Sequence, residues 1–449
     1  MPPPPDELVP FKVFGLQRTG TNLIQALMLE NFAVRYLTES ESGWKHGLPA
    51  AAFCHADDST RFVICVKNPY AWLVSCYRYF RRAEGHDQTA PVEFRRNPAM
   101  SFEEFVCRPS YEFDSPVQRW NFMNRCWRMM LPADRTAVVR QEDQLHAQVQ
   151  VLEAIERRFG LTRKHPELHW TQERIDVNTS SGGEMNREYY LLRQYMVQFS
   201  PSLLSNVNRT LDASLMEMLG YVNEDWALEQ RQVKDLRLFV RQLTSDGDEA
   251  WAVAAGDPYG LRQIQERSPE LSVIVDVGAH IGATVLQAKK HWPKAKVVAY
   301  EPDIENFRML RLNTRELEQV RAVPAALTDG ADKQVWFGPA SESGQWSTSV
   351  GVVGPDGDRQ VPAVGIDQAV EQIGQVGLLK IGFSQAAIPI LTTARQTGVL
   401  ARIRWICGRL PEIGSSRDQL LQVLEGSHRV VVNASRVGDT YVAEARPGK

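Results

Sequence analysis

The sequence predicts an α/β protein built from two domains. Two segments far apart in the chain, 11–29 and 271–287, each have the pattern of a buried strand, a glycine-bounded loop and a helix. A length of 449 residues is enough for separate domains with cores of their own. We therefore expect an N-terminal domain over residues 1–225, a connecting helix and linker over 226–257, and a C-terminal domain over 258–449.

The composition limits the partners and the compartment that we expect. Lys and Arg number 51 and Asp and Glu 54, a balance that gives no indication of a nucleic-acid partner. No run reaches the roughly 18 apolar residues of a membrane-spanning helix, and residues 1–6 lack the pattern of a secretory leader. The 6 cysteines show no paired spacing, which is typical of a reducing compartment without structural zinc. We therefore predict a cytoplasmic protein without a membrane span.

The first glycine loop lies between a predicted strand and a predicted helix, and it reads Gly15-Leu16-Gln17-Arg18-Thr19-Gly20-Thr21-Asn22. A loop of this kind offers backbone N–H groups to a phosphate. The spacing of Gly15 and Gly20 is that of a Walker A loop. However, Thr21 stands where the lysine of a nucleotide triphosphatase would be, and the positive charge comes earlier, at Arg18. The pattern argues against a P-loop small-molecule kinase, which stays an alternative.

A second predicted strand is followed by a cation and a hydroxyl. Residues 62–66 form a continuous apolar run of strand length, and Lys67 comes directly after it. Pro69 stands at a favoured first-turn position of the next helix, and Ser75 lies two turns into that helix. A cation and a hydroxyl donor suit a phosphate dianion, which must be both neutralised and oriented.

These two segments resemble the nucleotide site of the sulfotransferases that use 3′-phosphoadenosine 5′-phosphosulfate (PAPS). That family's loop reads Lys/Arg-Ser/Thr-Gly-Thr-Thr/Ser, and this chain has Arg18-Thr19-Gly20-Thr21-Asn22. The resemblance implies a P-loop-like fold over about residues 10–225, including the later segments 136–161 and 211–221. It also implies that the loop binds the phosphosulfate and that Lys67 and Ser75 bind the 3′-phosphate, with Lys67 in place of the commoner arginine.

Sulfuryl transfer needs positive charge on the leaving oxygen and a base for the proton of the acceptor. Arg18 is the candidate for the charge, since a guanidinium stays charged and presents several donors. His46 is the candidate base, because it lies where related sulfotransferases carry a Lys-x-His or similar element and because imidazole titrates near neutrality. Glu39 and Glu41 are the alternative bases, since some sulfotransferases use a carboxylate. No metal is required.

The second half of the chain contains a different glycine turn. A predicted buried strand runs into Asp276-Val277-Gly278-Ala279-His280-Ile281-Gly282, and the next predicted strand, 297–300, ends at Glu301. A glycine turn that lets a ligand approach, paired with a carboxylate that accepts hydrogen bonds from ribose hydroxyls, is typical of doubly wound nucleotide-binding folds. The glycine spacing does not fit the dinucleotide fingerprint. The turn looks instead like motif I of an S-adenosylmethionine (SAM) methyltransferase.

The closer resemblance of this half is to the FkbM family, over about residues 250–445. It depends on the glycine turn, on Tyr300-Glu301-Pro302 and on the later turn 323–329. The resemblance implies a Rossmann-type class I methyltransferase fold in which Glu301 binds the ribose of SAM and the glycine turn lines its amino-acid end. The cofactor-binding candidates are therefore Asp276, Gly278, Ala279, His280, Gly282 and Glu301.

One strand departs from the FkbM pattern. Members commonly read Lys-Ile-Asp-Val-Glu-Gly-Ala-Glu, whereas this chain has Lys380-Ile381-Gly382-Phe383-Ser384-Gln385-Ala386-Ala387, without a carboxylate. If those acids serve as base or substrate ligand, the second domain has lost that chemistry while it keeps the SAM pocket. An active methyltransferase and an inactive binding domain both stay open.

The glycine loop, Lys67 and Ser75, taken with the sulfotransferase resemblance, predict sulfuryl transfer from PAPS to an acceptor hydroxyl on a carbohydrate or a secondary metabolite. The FkbM resemblance adds SAM-dependent O-methylation of a sugar or natural-product hydroxyl by the second domain. Because both domains are fused in one chain, we expect them to act on the same or a related acceptor.

Overall fold

The computed structural model describes residues 8–49, 58–82, 92–171, 187–339, 351–353, 359–382, 384–410, 415–433 and 439–446. The structure is mixed α/β and divides into two compact units, a first unit Met1–Ala227 and a second unit Leu228–Lys449. In the described part of the chain, no helix is both long enough and apolar enough to cross a membrane.

The first unit is built on a four-stranded parallel sheet in the order β2-β1-β3-β4. Its strands are β1 (Val9–Gly15), β2 (Val34–Tyr36), β3 (Arg61–Val66) and β4 (Thr136–Arg140). The central strands β1 and β3 are buried along most of their length, which explains their continuous apolar runs. Gly15 pairs with Cys65, so the loop after β1 and Lys67 after β3 begin at the same edge of the sheet.

Helices account for most of the rest of the first unit. They are α1 (Thr21–Asn31), α2 (Glu39–Ser42), α3 (Pro69–Arg82), α4 (Val92–Arg96), α5 (Phe102–Cys107), α6 (Pro116–Met130), α7 (Gln141–His146), α8 (Gln148–Phe159), α9 (Arg187–Leu191), α10 (Pro201–Thr210) and α11 (Ala213–Met218), with 3-10 turns at Ala133–Arg135 and Gln194–Gln198. Apolar side chains of α1 and α8, such as Ile24 and Leu152, pack with Phe11 and Val13 of β1 in one buried cluster. This packing holds α1 against the strand that carries the glycine loop.

The second unit contains a Rossmann-like sheet of seven strands in the order β16-β17-β15-β14-β7-β8-β9. The strands are β7 (Val273–Val277), β8 (Lys296–Tyr300), β9 (Val320–Val323), β14 (Val376–Ile381), β15 (Ile403–Arg409), β16 (His428–Asn433) and β17 (Thr440–Ala445). The five from β15 to β9 run parallel, and β17 and β16 add an antiparallel edge. Chain order reverses between β7 and β14, and open sheets of this kind bind ligands at such a switch point.

The remaining elements of the second unit surround this sheet. A smaller sheet has the order β10-β13-β11-β12, from β10 (Ala326–Thr328), β11 (Gln334–Pro339), β12 (Gly351–Val353) and β13 (Arg359–Gly365). The helices are α12 (Asp246–Gly256), α13 (Leu261–Arg267), α14 (Ala283–His291), α15 (Ile304–Thr314), α16 (Ile366–Ile373), α17 (Ser384–Gln396) and α18 (Ser415–Leu424), with a 3-10 turn at Val399–Arg402.

The prediction of a connecting helix within 226–257 is wrong. The segment forms a β-hairpin, β5 (Leu228–Val233) and β6 (Leu236–Arg241), before α12 begins. In β6 the buried Leu236, Leu238 and Val240 alternate with more exposed residues, which is the period of a strand and not of a helix. Strand β6 lies against α12, α14 and α15, so the hairpin is part of the second unit and not a linker.

Candidate functional site

The loop between β1 and α1 is held in a shape that presents backbone amides. Gly20 has φ 87° at the start of α1 and provides no side-chain cap, and the first turn of α1 contains no acidic residue. A Cβ at Gly15 would lie 2.6 Å from the Cys65 carbonyl oxygen and 2.7 Å from Thr19 Oγ1, so only glycine fits there. The Thr19 hydroxyl donates to the Leu16 carbonyl at 2.7 Å and closes the turn. No carboxylate of this turn therefore competes for the first amides of α1.

Two helices fix the middle of this loop at Gln17. The Trp72 indole N–H of α3 donates to the Gln17 carbonyl at 2.9 Å. The Arg119 guanidinium of α6 donates to the Gln17 side chain at 2.9 Å and stacks 3.8 Å from the ring centre of Tyr111. The loop conformation is therefore set by contacts far away in sequence.

Arg18 brings an incompletely satisfied cation to the loop. Its backbone has φ 71°, a left-handed conformation that is uncommon outside glycine. Its guanidinium lies 5.2 Å from the ring centre of Tyr79, and its buried Nε has no hydrogen-bond partner among the described residues. A buried donor without a partner costs free energy, so an anion at this position would stabilise the arrangement.

Lys67 and Ser75, the residues expected to bind the 3′-phosphate, are hydrogen-bonded to each other. Lys67 Nζ donates to Ser75 Oγ at 2.7 Å, and the lysine is 1% exposed. Tyr190 of α9 completes this group, with its hydroxyl 3.1 Å from Ser75 Oγ and its ring centre 4.2 Å from Lys67 Nζ. Burial raises the pKa of Tyr190, but Lys67, Ser75 and Arg18 lower it by more, so the pKa of Tyr190 is about 8. The three side chains therefore form one positively charged cluster.

His46 lies against the first residue of the glycine loop. Its Nδ1 is 2.5 Å from the Gly15 carbonyl oxygen, and the Gly15 N–H donates to the Lys45 carbonyl at 3.1 Å. Burial lowers the pKa of His46 to about 4, although the Gly15 carbonyl opposes the shift. The ring is neutral at pH 7, with the proton on Nδ1 and the Nε2 lone pair available.

The carboxylate of the alternative base Glu41 forms hydrogen bonds in the N-terminal cap of a helix. Its carboxylate accepts from the Thr38 backbone N–H at 2.8 Å and from Arg35 at 2.6 Å. The hydrogen bond from the Thr38 N–H and the pair with Arg35 lower the pKa of Glu41 to about 2. Such a carboxylate is a weak base. Glu39, at the start of the same helix, is exposed.

Sequence reasoning missed two side chains of the first site. Lys45 Nζ donates to Asn22 Oδ1 at 2.5 Å, so a lysine from outside the loop reaches its far end. Its neighbour His46 was the signal that could have drawn attention to it. Tyr190 is 115 residues after Ser75 in a short helix, and no motif marks it.

The glycine turn of the second unit follows β7, as predicted. Gly278, His280 and Gly282 have φ of 70°, 51° and 90°, and the N–H groups of Gly278 and Ala279 both donate to the Tyr300 carbonyl at 3.0 Å. These bonds fix the turn to the end of β8. The turn and Glu301 therefore lie together at the carboxyl edge of the sheet.

Glu301 is 2% exposed and spans the turn with two hydrogen bonds. It accepts from the His280 N–H at 2.7 Å and from the Asp303 N–H at 3.0 Å. Burial raises the pKa of Glu301 to about 7, against the effect of those two N–H groups. A further donor, such as a ribose hydroxyl, would favour its charged form.

Asp276 is neutralised by Lys380 of β14. The ion pair is 2.7 Å long, and both side chains are almost fully buried. Lys380 Nζ also donates to the Gly278 carbonyl at 2.9 Å and lies 4.9 Å from the ring centre of Tyr259. Burial lowers the pKa of Lys380, but Asp276 raises it by more, so the lysine stays charged. The Asp276–Lys380 pair therefore supports the glycine turn through the hydrogen bond from Lys380 to the Gly278 carbonyl.

Arg241 of β6 and Asp246 of α12 form a buried ion pair beside the glycine turn. Both residues lie in the segment that was predicted to be a linker. Arg241 donates to both carboxylate oxygens of Asp246 at 2.8 Å, and Asp246 Oδ1 is 3.5 Å from His280 Nε2. Burial lowers the pKa of His280, and Asp246 partly opposes this. Alternation in β6 was the available sequence signal. Of the strand that lacks carboxylates, Phe383 and the side chains of residues 384–386 lie outside the described residues.

No protein-family model matches the sequence, and no curated protein is detectably similar to it. Similar solved structures include a 16S rRNA methyltransferase of T. thermophilus in complex with AdoMet and guanosine, with 16% identity, 49% of this chain and 51% of that chain covered, and a TM-score of 0.30. A precorrin-6y methyltransferase of Geobacter metallireducens has 15% identity over 42% of this chain and 85% of its own, with a TM-score of 0.28. At these scores the likeness carries no conclusion about activity, and neither the sulfotransferase nor the FkbM resemblance is established.

Glu301 should make the second unit less stable as the pH rises. Its pKa is raised from 4.5 to about 7, so its contribution to stability is complete below about pH 4.5 and is lost as the pH rises through about 7. We expect Glu301→Gln to remove a decrease of about 3 kcal/mol in the free energy of unfolding between pH 5 and 8. Urea unfolding across this range measures it. Glu316→Gln, at a carboxylate that is 81% exposed, is the control and should keep the decrease.

Proposed function

We propose that the first unit binds PAPS and transfers its sulfuryl group to an acceptor hydroxyl. The observation that carries the proposal is the buried charge of Lys67, whose described partners, Ser75 and Tyr190, are uncharged side chains. A buried cation without a carboxylate costs free energy unless an anion joins it. A 3′-phosphate is such an anion, and the Ser75 hydroxyl can donate to it.

The loop offers a second anion site at the same edge of the sheet. The unpartnered Nε of Arg18 and the uncapped first turn of α1 suit the phosphosulfate group. Two separate anion sites on one ligand match a nucleotide with phosphates at both the 3′ and 5′ positions. This supports PAPS over a nucleotide with a single phosphate chain.

In the proposed reaction the acceptor oxygen attacks sulfur, the bond from sulfur to the bridging phosphate oxygen breaks, and adenosine 3′,5′-bisphosphate (PAP) leaves. His46 Nε2 accepts the proton of the acceptor hydroxyl, because Nδ1 is engaged with the Gly15 carbonyl. Arg18 stabilises the charge that develops on the bridging oxygen, and Lys45 at the loop's far end adds to the positive field.

We further propose that the second unit binds SAM and transfers its methyl group to an acceptor hydroxyl. The glycine turn and the buried carboxylate of Glu301 at the switch point of the sheet support binding. His280 Nε2 faces Asp246 Oδ1 at 3.5 Å, which supports a role for His280 in positioning the turn. Binding of SAM without transfer is the alternative.

One experiment separates these functions. The full chain is incubated with labelled PAPS, labelled SAM, or ATP and Mg²⁺, each with a panel of glycans and small polyols. Sulfated and methylated products are expected. SAM binding in calorimetry without methylation would favour a binding domain, and Mg²⁺-dependent phosphorylation without sulfation would overturn the sulfotransferase in favour of a kinase.

Lys67→Met should weaken the binding of PAP by about 10- to 100-fold, because a charge-assisted bond to the 3′-phosphate is worth about 1.5–3 kcal/mol. Adenosine 5′-monophosphate lacks that phosphate and serves as the matched control ligand. Its affinity should stay unchanged within about twofold. Calorimetry with both ligands measures the effect, and equal losses for the two would contradict the assignment of Lys67.

His46→Gln should lower kcat about 10²- to 10⁴-fold and leave the affinity for PAP unchanged, because general-base catalysis contributes a factor of this size. Since the pKa of His46 is about 4, wild-type kcat/KM should be level above about pH 5 and fall as the pH approaches 4. Glu41→Gln is the control for the alternative base and should retain activity. Loss of activity in Glu41→Gln but not in His46→Gln would reverse the assignment.

A further inference from the structure

A cluster of three potential metal ligands lies on the surface of the first unit. Glu30 stands in the last turn of α1, and His165 and His169 lie in the segment that follows α8. One ligand atom from each of the three residues can be chosen so that all lie within 4.8 Å of one another. None of these residues belongs to the loop edge described above.

Two imidazole nitrogens lie close to one oxygen of the Glu30 carboxylate. Glu30 Oε1 is 2.8 Å from His169 Nδ1 and 3.8 Å from His165 Nε2, so both imidazoles approach the same carboxylate oxygen. Around a tetrahedral Zn²⁺ with bonds of about 2.0–2.2 Å, ligand atoms lie about 3.4 Å apart. The two contacts, at 2.8 and 3.8 Å, lie on either side of that spacing, so binding of an ion requires the side chains to reorient.

The two imidazoles are already arranged side by side. The rings of His165 and His169 are stacked, with centroids 4.4 Å apart and an angle of 11° between their planes. Stacking of two rings is favourable by itself, and the Glu30 carboxylate beside them adds a third potential ligand. Two imidazoles and one carboxylate are a common protein ligand set for zinc.

The backbone that carries the histidines is attached to the helix that carries the carboxylate. Asn31, which is 1% exposed, donates its amide to the His169 carbonyl at 2.9 Å and accepts from the His169 N–H at 2.6 Å. The Lys164 N–H donates to the Asn31 carbonyl at 2.8 Å. These bonds hold His169 next to Glu30, so little ordering remains to be done when an ion binds.

We propose that Glu30, His165 and His169 bind a divalent transition-metal ion of the zinc type. The three side chains are 42–56% exposed, which leaves the fourth coordination position to water. The ion would connect α1 to the segment after α8 and so stabilise the first unit. The proposal is independent of the reaction proposed for the loop.

The test is a zinc titration of the full chain after chelator treatment and removal of any affinity tag. Calorimetry should give one Zn²⁺ per chain, and Co²⁺ should give visible absorption bands. His165→Ala, His169→Ala and Glu30→Gln should each weaken binding at least about tenfold, while Mg²⁺ should not compete. His146→Ala, at another exposed histidine of the first unit, is the matched control and should bind as the wild type does.

Circular dichroism checks that each variant folds. Because all three ligand side chains are exposed, we expect their replacement to leave the fold intact. Failure of the wild type to bind zinc would overturn the proposal. Binding that survives in His169→Ala or in Glu30→Gln as in His146→Ala would also overturn it, because the ion would then be bound elsewhere.

Discussion

The close approach at Gly15 is the constraint on which the first site depends. A glycine there lets β1 end against the Cys65 carbonyl of β3, and its N–H and carbonyl bind Lys45 and His46. The same residue thus places the glycine loop beside β3, which delivers Lys67, and attaches the segment that carries the candidate base. Any side chain at Gly15 would separate these parts by tenths of an ångström, and chemistry at such a site is sensitive to displacements of this size.

The two units use a buried lysine at the sheet edge in opposite ways. Lys380 is paired with Asp276 and supports the glycine turn, so its charge is neutralised by a carboxylate inside the protein. Lys67 has no carboxylate partner among the described residues, and only a hydroxyl and an aromatic face compensate it. In the first arrangement the lysine is part of an ion pair, whereas in the second its charge has no carboxylate partner among the described residues. On this contrast we base the proposal that the first unit binds an anion.

Local patterns predicted the parts of the fold that are contiguous in sequence. The strand, loop and helix around Gly20 and around Gly278 follow from apolar runs and glycines that need positive φ. The hairpin of β5 and β6 was missed because its dense charge hid the alternation of Leu236, Leu238 and Val240. Tyr190 could not be predicted, since its role arises from a tertiary contact between segments without a motif.

Gly382 lies in close contact with Lys380 and with the glycine turn of the second unit. A Cβ at Gly382 would lie 3.0 Å from Lys380 Nζ and 3.1 Å from the Gly278 and Val277 carbonyl oxygens, so the position is closely packed. Lys380 pairs with Asp276 and donates to the Gly278 carbonyl. Any side chain at position 382 would therefore press on the groups that support the turn. His280 lies in the same turn with its Nε2 3.5 Å from Asp246 Oδ1, and Asp246 is in turn paired with Arg241.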